Sequence, residues 1–193
     1  MNYYQYYENR NMQYNFQNKS AYNWPSNASP VDGYYPDMCT RNIAIANIKG
    51  GPLAPNIRGT VHFTRAAGGT NVCVEVSGLP PYSPAVGNGN PIGPFGFHLH
   101  QNGTCVVGDP ADPFQAAGGH WNPTNQPHGN HAGDFPVLFS NNGVARMCFF
   151  TDKFTVEDVI EKGIIIHQNP DDYRSQPSGD AGKRLACGVV RWY

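Results

Sequence analysis

The sequence has few charged residues and no excess of either sign. Charged side chains make up 14% of its 193 residues, and the formal net charge is -1. Such a chain offers no basic surface for nucleic acid and no polybasic patch for a membrane surface. It also has no apolar run near the roughly 18 residues that a membrane-spanning helix needs. We therefore predict neither a nucleic-acid partner nor a membrane span.

Two kinds of motif are also missing. Residues 1–30 lack the basic start, apolar block and small-residue cleavage site of a secretory signal, so the sequence does not support export by that route. The cysteines form no CxxC pair, which argues against a thiolate zinc site and a thioredoxin-type motif. Their odd number predicts at least one free thiol. The five cysteines are Cys39, Cys73, Cys105, Cys148 and Cys187.

Glycine and proline are abundant, with 22 and 17 residues, and this predicts short strands joined by many turns. From about Ile43 the pattern is one of strands. Apolar and polar residues alternate over residues 57–64 and 72–76, and the glycine-containing run between them predicts a hairpin. One helical turn is predicted over residues 156–162, opened by Thr155. Further strands are predicted near residues 95–100, 144–150, 164–167 and 185–191. The predicted fold class is all-β.

Residues 1–38 differ in composition from the rest. They hold eight of the eleven tyrosines among Asn and Gln, with almost no aliphatic side chains. Such a segment cannot bury enough apolar surface to offset the entropy lost on ordering its backbone. We predict a disordered tail over residues 1–38, either merely solvated or serving as an adhesive or cross-linkable surface segment. Residues 39–193 are predicted to form one domain.

Six of the seven histidines lie between residues 98 and 167. His98 and His100 are two apart on a predicted strand, so both imidazoles point to one face and suit copper, zinc or iron. His167 ends an apolar predicted strand, where a buried imidazole without a partner would cost free energy. If His167 joins the other two, one metal ion has three ligands carried by strands.

The remaining histidines of this set lie in a loop rich in glycine and proline. Three imidazoles and a carboxylate fall there within fifteen residues, from His120, His128, His131 and Asp134. Three histidines and one aspartate complete a tetrahedral zinc shell with no open position, which is typical of a structural site. His120 can serve both metals, because a deprotonated imidazole binds one ion through each nitrogen.

Five motifs follow one another between residues 96 and 189. They are Gly96-Phe97-His98-Leu99-His100, Gly119-His120-Trp121-Asn122-Pro123, His131-Ala132-Gly133-Asp134, His167 with Asp171-Asp172-Tyr173, and Gly182-Lys183-Arg184-Leu185-Ala186-Cys187-Gly188-Val189. Together they resemble the copper,zinc superoxide dismutase family, and the step from His100 to Cys105 is similar to its bacterial-type branch. A weaker resemblance extends back to about Ile43.

The resemblance implies a fold and two metal sites. The fold would be an eight-stranded antiparallel Greek-key β-barrel or sandwich with long metal-binding and electrostatic loops. Copper would be bound by His98, His100, His120 and His167. Zinc would be bound by His120, His128, His131 and Asp134.

The resemblance also implies roles around the metals. Asp171 would be the carboxylate that joins a copper-side and a zinc-side histidine and fixes their rings. Arg184 would attract and position the anion beside the copper, a task that suits its permanent charge and forked donors. Cys105 and Cys187 would form the disulfide within the subunit. Arg184 and His120, the latter as proton donor, would be the catalytic residues.

The implied activity is disproportionation of superoxide: copper(II) oxidises one anion to dioxygen, and copper(I) reduces a second to peroxide. One alternative is a copper-free, zinc-binding structural member of the same fold, for example a surface or coat component. Another is a metallohydrolase, against which the closed zinc shell and the lack of a spare Glu base argue. Members of the bacterial branch differ in how they pair, so a homodimer stays open. The disulfide favours an oxidising setting, and both a cytoplasmic and a cell-surface or spore-coat location stay open.

The sequence departs from the family pattern in two places. Only two residues separate His128 from His131, so distortion of the zinc shell is expected at this spacing. The loop over residues 172–182 is short and lacks a lysine-rich character. Steering of the anion is therefore expected to depend on Arg184 and the metals, with Arg174 and Lys183 as helpers.

The other candidate residues are assigned ordinary roles. His62 lies on the polar face of its predicted strand and is interpreted as a surface histidine. Cys73 is predicted to be an outward-facing free thiol, and Cys148 a buried thiol in the core. Cys39 is predicted to be free or cross-linked, and Tyr173 to be a simple loop residue.

Overall fold

The computed structural model describes residues 43–87 and 89–193. They form seven strands and two short 3-10 helices, Gln115–Ala117 and Glu157–Val159. The strands are β1 (Ile43–Gly50), β2 (Arg58–Ala66), β3 (Gly69–Ser77), β4 (Phe97–His100), β5 (Ala145–Thr151), β6 (Gly163–His167) and β7 (Arg184–Trp192). All pair antiparallel in one sheet, in the order β4-β6-β7-β1-β2-β3-β5. The predicted tail over residues 1–38 and Cys39 lie outside the described residues.

The strands predicted from alternation are confirmed. β2 and β3 pair from Arg58 opposite Ser77 to Ala66 opposite Gly69, so the hairpin turns at the predicted glycines. The predicted helical turn is the 3-10 helix Glu157–Val159, and the Thr155 N–H donates to Asp158 Oδ2 at 2.8 Å just before it. Among the described residues, no helix is long and apolar enough to cross a membrane.

The antiparallel all-β fold is confirmed, with one strand fewer than the eight expected. The segment after Asp134 runs beside β4 but pairs only through isolated bridges, Asp134 with His98 and Leu138 with Phe95. Pro136 lies between these bridges and has no N–H to donate to a ladder. The eighth position is therefore occupied by a loop that follows the edge of the sheet.

The core covers the inner face of the sheet. On β2 and β3 the inward positions are Val61, Phe63, Val72, Val74 and Val76, all buried. Phe97 and Phe135 extend the core to β4, with ring centroids 5.2 Å apart. Each such side chain contributes about 1.5–3 kcal/mol when it is fully buried. The metal-binding candidates on β4 therefore lie against a packed apolar layer.

Two disulfides are formed within the described residues. Cys105 pairs with Cys187, as the resemblance implies. Cys73 pairs with Cys148, so the predictions of a free thiol and a buried core thiol are both wrong. The two residues lie opposite each other on neighbouring strands, and Cys148 is exposed. The inward face of β5 holds Ala145, Met147 and Phe149, so Cys148 faces outward.

Candidate metal centre

Three of the clustered histidines are carried by paired strands. His98 and His100 lie on β4, and His167 ends β6, which pairs with β4. The His167 N–H donates to Gly96 O at 2.7 Å and so continues the ladder past the last residue of the pairing. All three imidazoles are buried. Main-chain hydrogen bonds of the sheet therefore set their positions.

These imidazoles converge with that of His120. One ring nitrogen from each of the four residues lies within 4.8 Å of the others. His100 Nε2 and His167 Nε2 are 3.2 Å apart. His98 Nδ1 and His120 Nε2 are buried and have no hydrogen-bond partner in the part of the chain that the structure describes. Buried polar atoms are seldom unpaired, so nitrogens that face one point in this way suit a metal ion.

The outer ring nitrogens of the strand-borne histidines each meet an acceptor. His98 Nε2 is 2.7 Å from Asp171 Oδ2, and His100 Nδ1 is 2.9 Å from Gly118 O. His167 Nδ1 is 3.2 Å from Gly182 O. Each outer nitrogen donates its hydrogen to this acceptor, which leaves the inner nitrogen with a lone pair for a metal.

A second group of donors is carried by the loop. Donor atoms of four residues lie within 4.8 Å of one another; these residues are His120, His128, His131 and Asp134. Asp134 Oδ1 is 2.8 Å from His120 Nδ1 and 3.2 Å from His131 Nδ1, while Oδ2 is 3.3 Å from His128 Nδ1. Despite these distances, Nδ1 of His128 and Nδ1 of His131 have no hydrogen bond to any described residue. Three imidazoles around a carboxylate match the donor set of tetrahedral zinc.

The short spacing between His128 and His131 does not separate these donors. The N–H groups of Gly129 and His131 donate to Asp134 Oδ2 at 2.8 and 2.9 Å, which folds the segment around the carboxylate. Gly129 has a φ of 91°, and a Cβ there would overlap the Tyr173 carbonyl oxygen. A glycine at this position is what allows the tight turn.

Asp171 links the two groups of histidines. Its Oδ2 accepts from His98 Nε2 at 2.7 Å, and its Oδ1 accepts from His128 Nε2 at 2.9 Å. The main-chain N–H of Tyr173 also donates to Oδ1, at 2.7 Å. The carboxylate is buried, so these three hydrogen bonds replace its contacts with water.

A cleft of about 620 Å³ opens over the centre, and Arg184 lines it together with His120, His131 and His167. Arg184 Nη1 donates to Phe114 O at 2.6 Å, and Nη2 donates to Gly118 O at 2.8 Å. Burial lowers the pKa of Arg184, but a guanidinium stays charged at neutral pH. Among the described residues that line the cleft, Arg184 is therefore the one Lys or Arg side chain beside the histidines.

Similarity to known proteins identifies the family of this chain. A family model described as copper/zinc superoxide dismutase matches residues 57–190. The chain belongs to the copper/zinc superoxide dismutase family. It is 35% identical over 152 residues to the Cu-Zn superoxide dismutase of Deinococcus radiodurans, covering 70% of this chain and 78% of that protein. It is 34% identical over 148 residues to Cu-Zn superoxide dismutase 1 of Aquifex aeolicus, covering 69% of this chain and 79% of that protein.

The solved structure of a SOD-like protein is similar in fold. It is the crystal structure of a double mutant of a SOD-like protein from Bacillus subtilis, in which a tyrosine and a proline are replaced by histidine. The match has a TM-score of 0.59 and 26% identity, and it covers 75% of this chain and 95% of that chain. The bacterial relatives agree with the predicted branch of the superoxide dismutase family.

In this superoxide dismutase family member, the environment of the donors sets their protonation. Burial lowers the pKa of His98 and His100 well below the ordinary value, and lowers the pKa of His167 to about 3. Burial would raise the pKa of Asp134, but its hydrogen bond with His120 and the neighbouring imidazoles bring it to about 2. At neutral pH these three imidazoles are neutral and the carboxylate is ionised, which are the forms that bind metal ions.

Lys183 and Arg174, which were predicted to help attract the anion, lie in different surroundings from Arg184. The Lys183 ammonium is 2.9 Å from Asp112 Oδ1, so an opposite charge offsets it. Arg174 is exposed and forms no ion pair with any described residue. Arg184 is thus the cation that lines the cleft, whereas these two lie outside its lining.

Sequence reasoning missed three residues that hold the loop-borne donors. Gln176 contacts the main chain of His128, and Gly179 packs against Asp171. Tyr173, interpreted as a simple loop residue, donates from its hydroxyl to Phe135 O at 3.1 Å and accepts from the Val137 N–H at 2.9 Å. The one sign of these contacts in the sequence is Gly179, because a glycine in a loop marks a close approach of the backbone or a positive φ.

Proposed function

We propose that this protein is an enzyme that converts two superoxide anions and two protons into dioxygen and hydrogen peroxide. One observation carries the proposal. Four buried imidazoles each place a ring nitrogen within 4.8 Å of the others, and two of them, His120 and His167, line the cleft together with Arg184. A bound copper ion would supply one-electron cycling between its two oxidation states, and that is the chemistry this reaction needs.

We assign copper to the group that contains the three strand-borne histidines. Its ligands would be His98, His100, His120 and His167. His100 and His167 keep their outer N–H groups on the carbonyls of Gly118 and Gly182, so their inner nitrogens stay available. This arrangement resists rotation of the rings and keeps the lone pairs directed to one point.

We assign zinc to the loop group. Its ligands would be His120, His128, His131 and Asp134. The group provides four protein donors, which fills a tetrahedral shell and suits a structural role. His120 belongs to both groups, so the loop-borne ligands would hold its ring while its buried Nε2, which has no hydrogen bond to any described residue, would bind copper.

Arg184 and His120 would carry out the steps that belong to the protein. Arg184 has donors beyond the two that bond carbonyls, and these would attract and orient the anion in the cleft. His120 lines the cleft, and its ring would hold the proton that the forming peroxide requires.

The test is metal content and superoxide-dependent activity of the purified full chain after loading with copper and zinc. We expect about one copper and one zinc per chain, each matching one of the two donor groups. His98→Ala should abolish activity and lower copper content. Arg184→Ala should reduce activity and leave both metals bound. Zinc uptake without copper uptake would overturn the proposed enzymatic function and would support a zinc-binding structural role for this fold.

Setting and assembly are further parts of the proposal. The disulfides Cys73–Cys148 and Cys105–Cys187 support an oxidising setting for the folded domain, which is where such bonds persist. Thiol titration of the protein taken directly from cells measures this, and four reactive thiols from these cysteines would contradict it. A homodimer stays a prediction. Sedimentation of the full chain, which measures its oligomeric state, tests it.

A further inference from the structure

The side chain of Gln176 is paired with the main chain of His128. The His128 N–H donates to Gln176 Oε1 at 2.8 Å, and Gln176 Nε2 donates to His128 O at 3.2 Å. One carboxamide thus satisfies both main-chain groups of a single residue, as a neighbouring strand would do. The two residues are 48 positions apart in the chain.

These two hydrogen bonds are the main support of the His128 backbone. Within residues 43–87 and 89–193, the N–H and C=O of His128 make no other hydrogen bond. His128 lies outside every strand and helix, between Pro127 and the left-handed Gly129. A loop residue of this kind has no ladder to fix it, so its position depends on side-chain contacts.

The loop over residues 171–179 contacts His128 at further points. Asp171 Oδ1 accepts from the ring Nε2 at 2.9 Å, so the same loop holds the ring as well as the backbone. The next residue, Gly129, lies so close to Tyr173 O that a Cβ would overlap it. These contacts all involve His128 or its neighbour, just before the two-residue spacing to His131.

This loop is ordered by its own hydrogen bonds. The Asp172 carboxylate accepts from the N–H groups of Arg174 and Ser175, each at 2.8 Å. The Gly179 N–H donates to Ser175 O at 2.7 Å, and the Asp172 N–H donates to Gly179 O at 3.0 Å. Gln176 is therefore presented from a closed turn, so less entropy is lost when its amide bonds to His128.

We propose that Gln176 is a positioning residue for the zinc site. It fixes the backbone of His128 so that the ring Nδ1 stays beside Asp134, within reach of a shared metal ion. The inference deepens the proposed function and rests on its zinc site. It also gives a physical reason why a spacing of two residues between His128 and His131 can serve one ion.

The test is the Gln176→Met variant of the full chain, since methionine matches glutamine in length but forms no such hydrogen bonds. Zinc affinity is measured by competition with a chromophoric chelator. We expect it to fall on the order of tenfold, at the low end of the effect of residues that orient metal ligands. Copper affinity should change by less than about twofold, because Gln176 contacts none of the strand-borne histidines. Cobalt(II) in place of zinc should show altered d–d bands.

The control is Gln115→Met, since Gln115 lines the cleft but its side chain makes no hydrogen bond to any described residue. Its zinc affinity should equal that of the unchanged protein. Unchanged zinc affinity in Gln176→Met would overturn the positioning role. An equal loss of copper and zinc with a lower Tm of the metal-free variant would show a general structural role, and would also overturn it.

The same titration separates this inference from the proposed function. Tight zinc binding by the unchanged protein, with no effect of Gln176→Met, overturns the inference alone. If the unchanged protein takes up no zinc, the proposed zinc site fails and the positioning role fails with it.

Discussion

The strand-borne and loop-borne halves of the candidate metal centre are held in place by different means. His98, His100 and His167 lie on β4 and β6, whose main chains are paired through successive hydrogen bonds. His128 is held instead by the side chains of Asp171 and Gln176. The first half depends on the register of a sheet, and the second depends on a few contacts between two loops.

This difference predicts how each half responds to substitution. A ladder is made by main-chain groups, so changing one side chain leaves its hydrogen bonds in place. A loop residue fixed by side chains loses its support when one of them is removed. Substitutions in the loop over residues 171–179 should therefore weaken zinc binding more than copper binding. Substitutions in the core under β4 should lower the stability of the whole domain.

The largest effect is expected where the two halves join. His120 contributes donor atoms to both groups, so His120→Ala should weaken copper and zinc together and abolish the activity. Metal content and the rate of superoxide decay are the measurements. His62→Ala is the matched control: the His62 imidazole bonds only to Thr60 among the described residues, so the variant should retain both metals. Full zinc content in His120→Ala would contradict the shared role.

The next-largest effect is expected from a substitution in the core that supports the strand-borne half. Leu99 lies between His98 and His100 and is fully buried, so Leu99→Ala should lower the free energy of unfolding by about 3 kcal/mol. Urea unfolding of the metal-free protein measures this. Leu53 is 42% exposed, and Leu53→Ala should stay within about 0.5 kcal/mol. If the two variants were equally stable, the strand-borne half would not depend on this core.

Gly179→Ala tests the loop-borne half. A Cβ at Gly179 would overlap Asp171 Oδ1 and lie 2.5 Å from His128 Nε2, so the shared carboxylate must shift. We expect zinc affinity to fall about 100-fold, and copper affinity to fall less because the sheet still holds His98. Gly108→Ala is the control: its φ of 65° is close to the 67° of Gly179, but no described residue lies within 4 Å of a Cβ added there. An equal effect in both variants would assign the loss to backbone strain.

The strand-borne half could be predicted from the sequence because its pattern is local. Alternation places His98 and His100 on one strand, and the apolar run before His167 predicts another. The same pattern does not show which side chains of β5 face the core. Apolar residues occur on both faces of β5, so the pattern wrongly predicts Cys148 in the core, whereas it pairs with Cys73 on the outside.

The supports of the loop-borne half are not local, and the sequence gives little sign of them. Spacing brings His128, His131 and Asp134 together as candidates, but it does not show what holds the loop. The contact of Gln176 with His128 depends on how two irregular segments meet, and neither segment has a periodic pattern. The role of Tyr173 was missed for the same reason.

The smallest effect is expected at Tyr173, whose hydroxyl joins the two loops just beyond Asp134. It donates to Phe135 O and accepts from the Val137 N–H, so Tyr173→Phe removes two hydrogen bonds and keeps the ring. Since Asp171 and Gln176 still hold His128, we expect zinc affinity to fall only about fivefold, equivalent to about 1 kcal/mol. Chelator competition measures it, with Tyr82→Phe as control because Tyr82 is 67% exposed. A loss as large as that of Gly179→Ala would show that the hydroxyl, rather than the Asp171 carboxylate, is the main support of the loop-borne half.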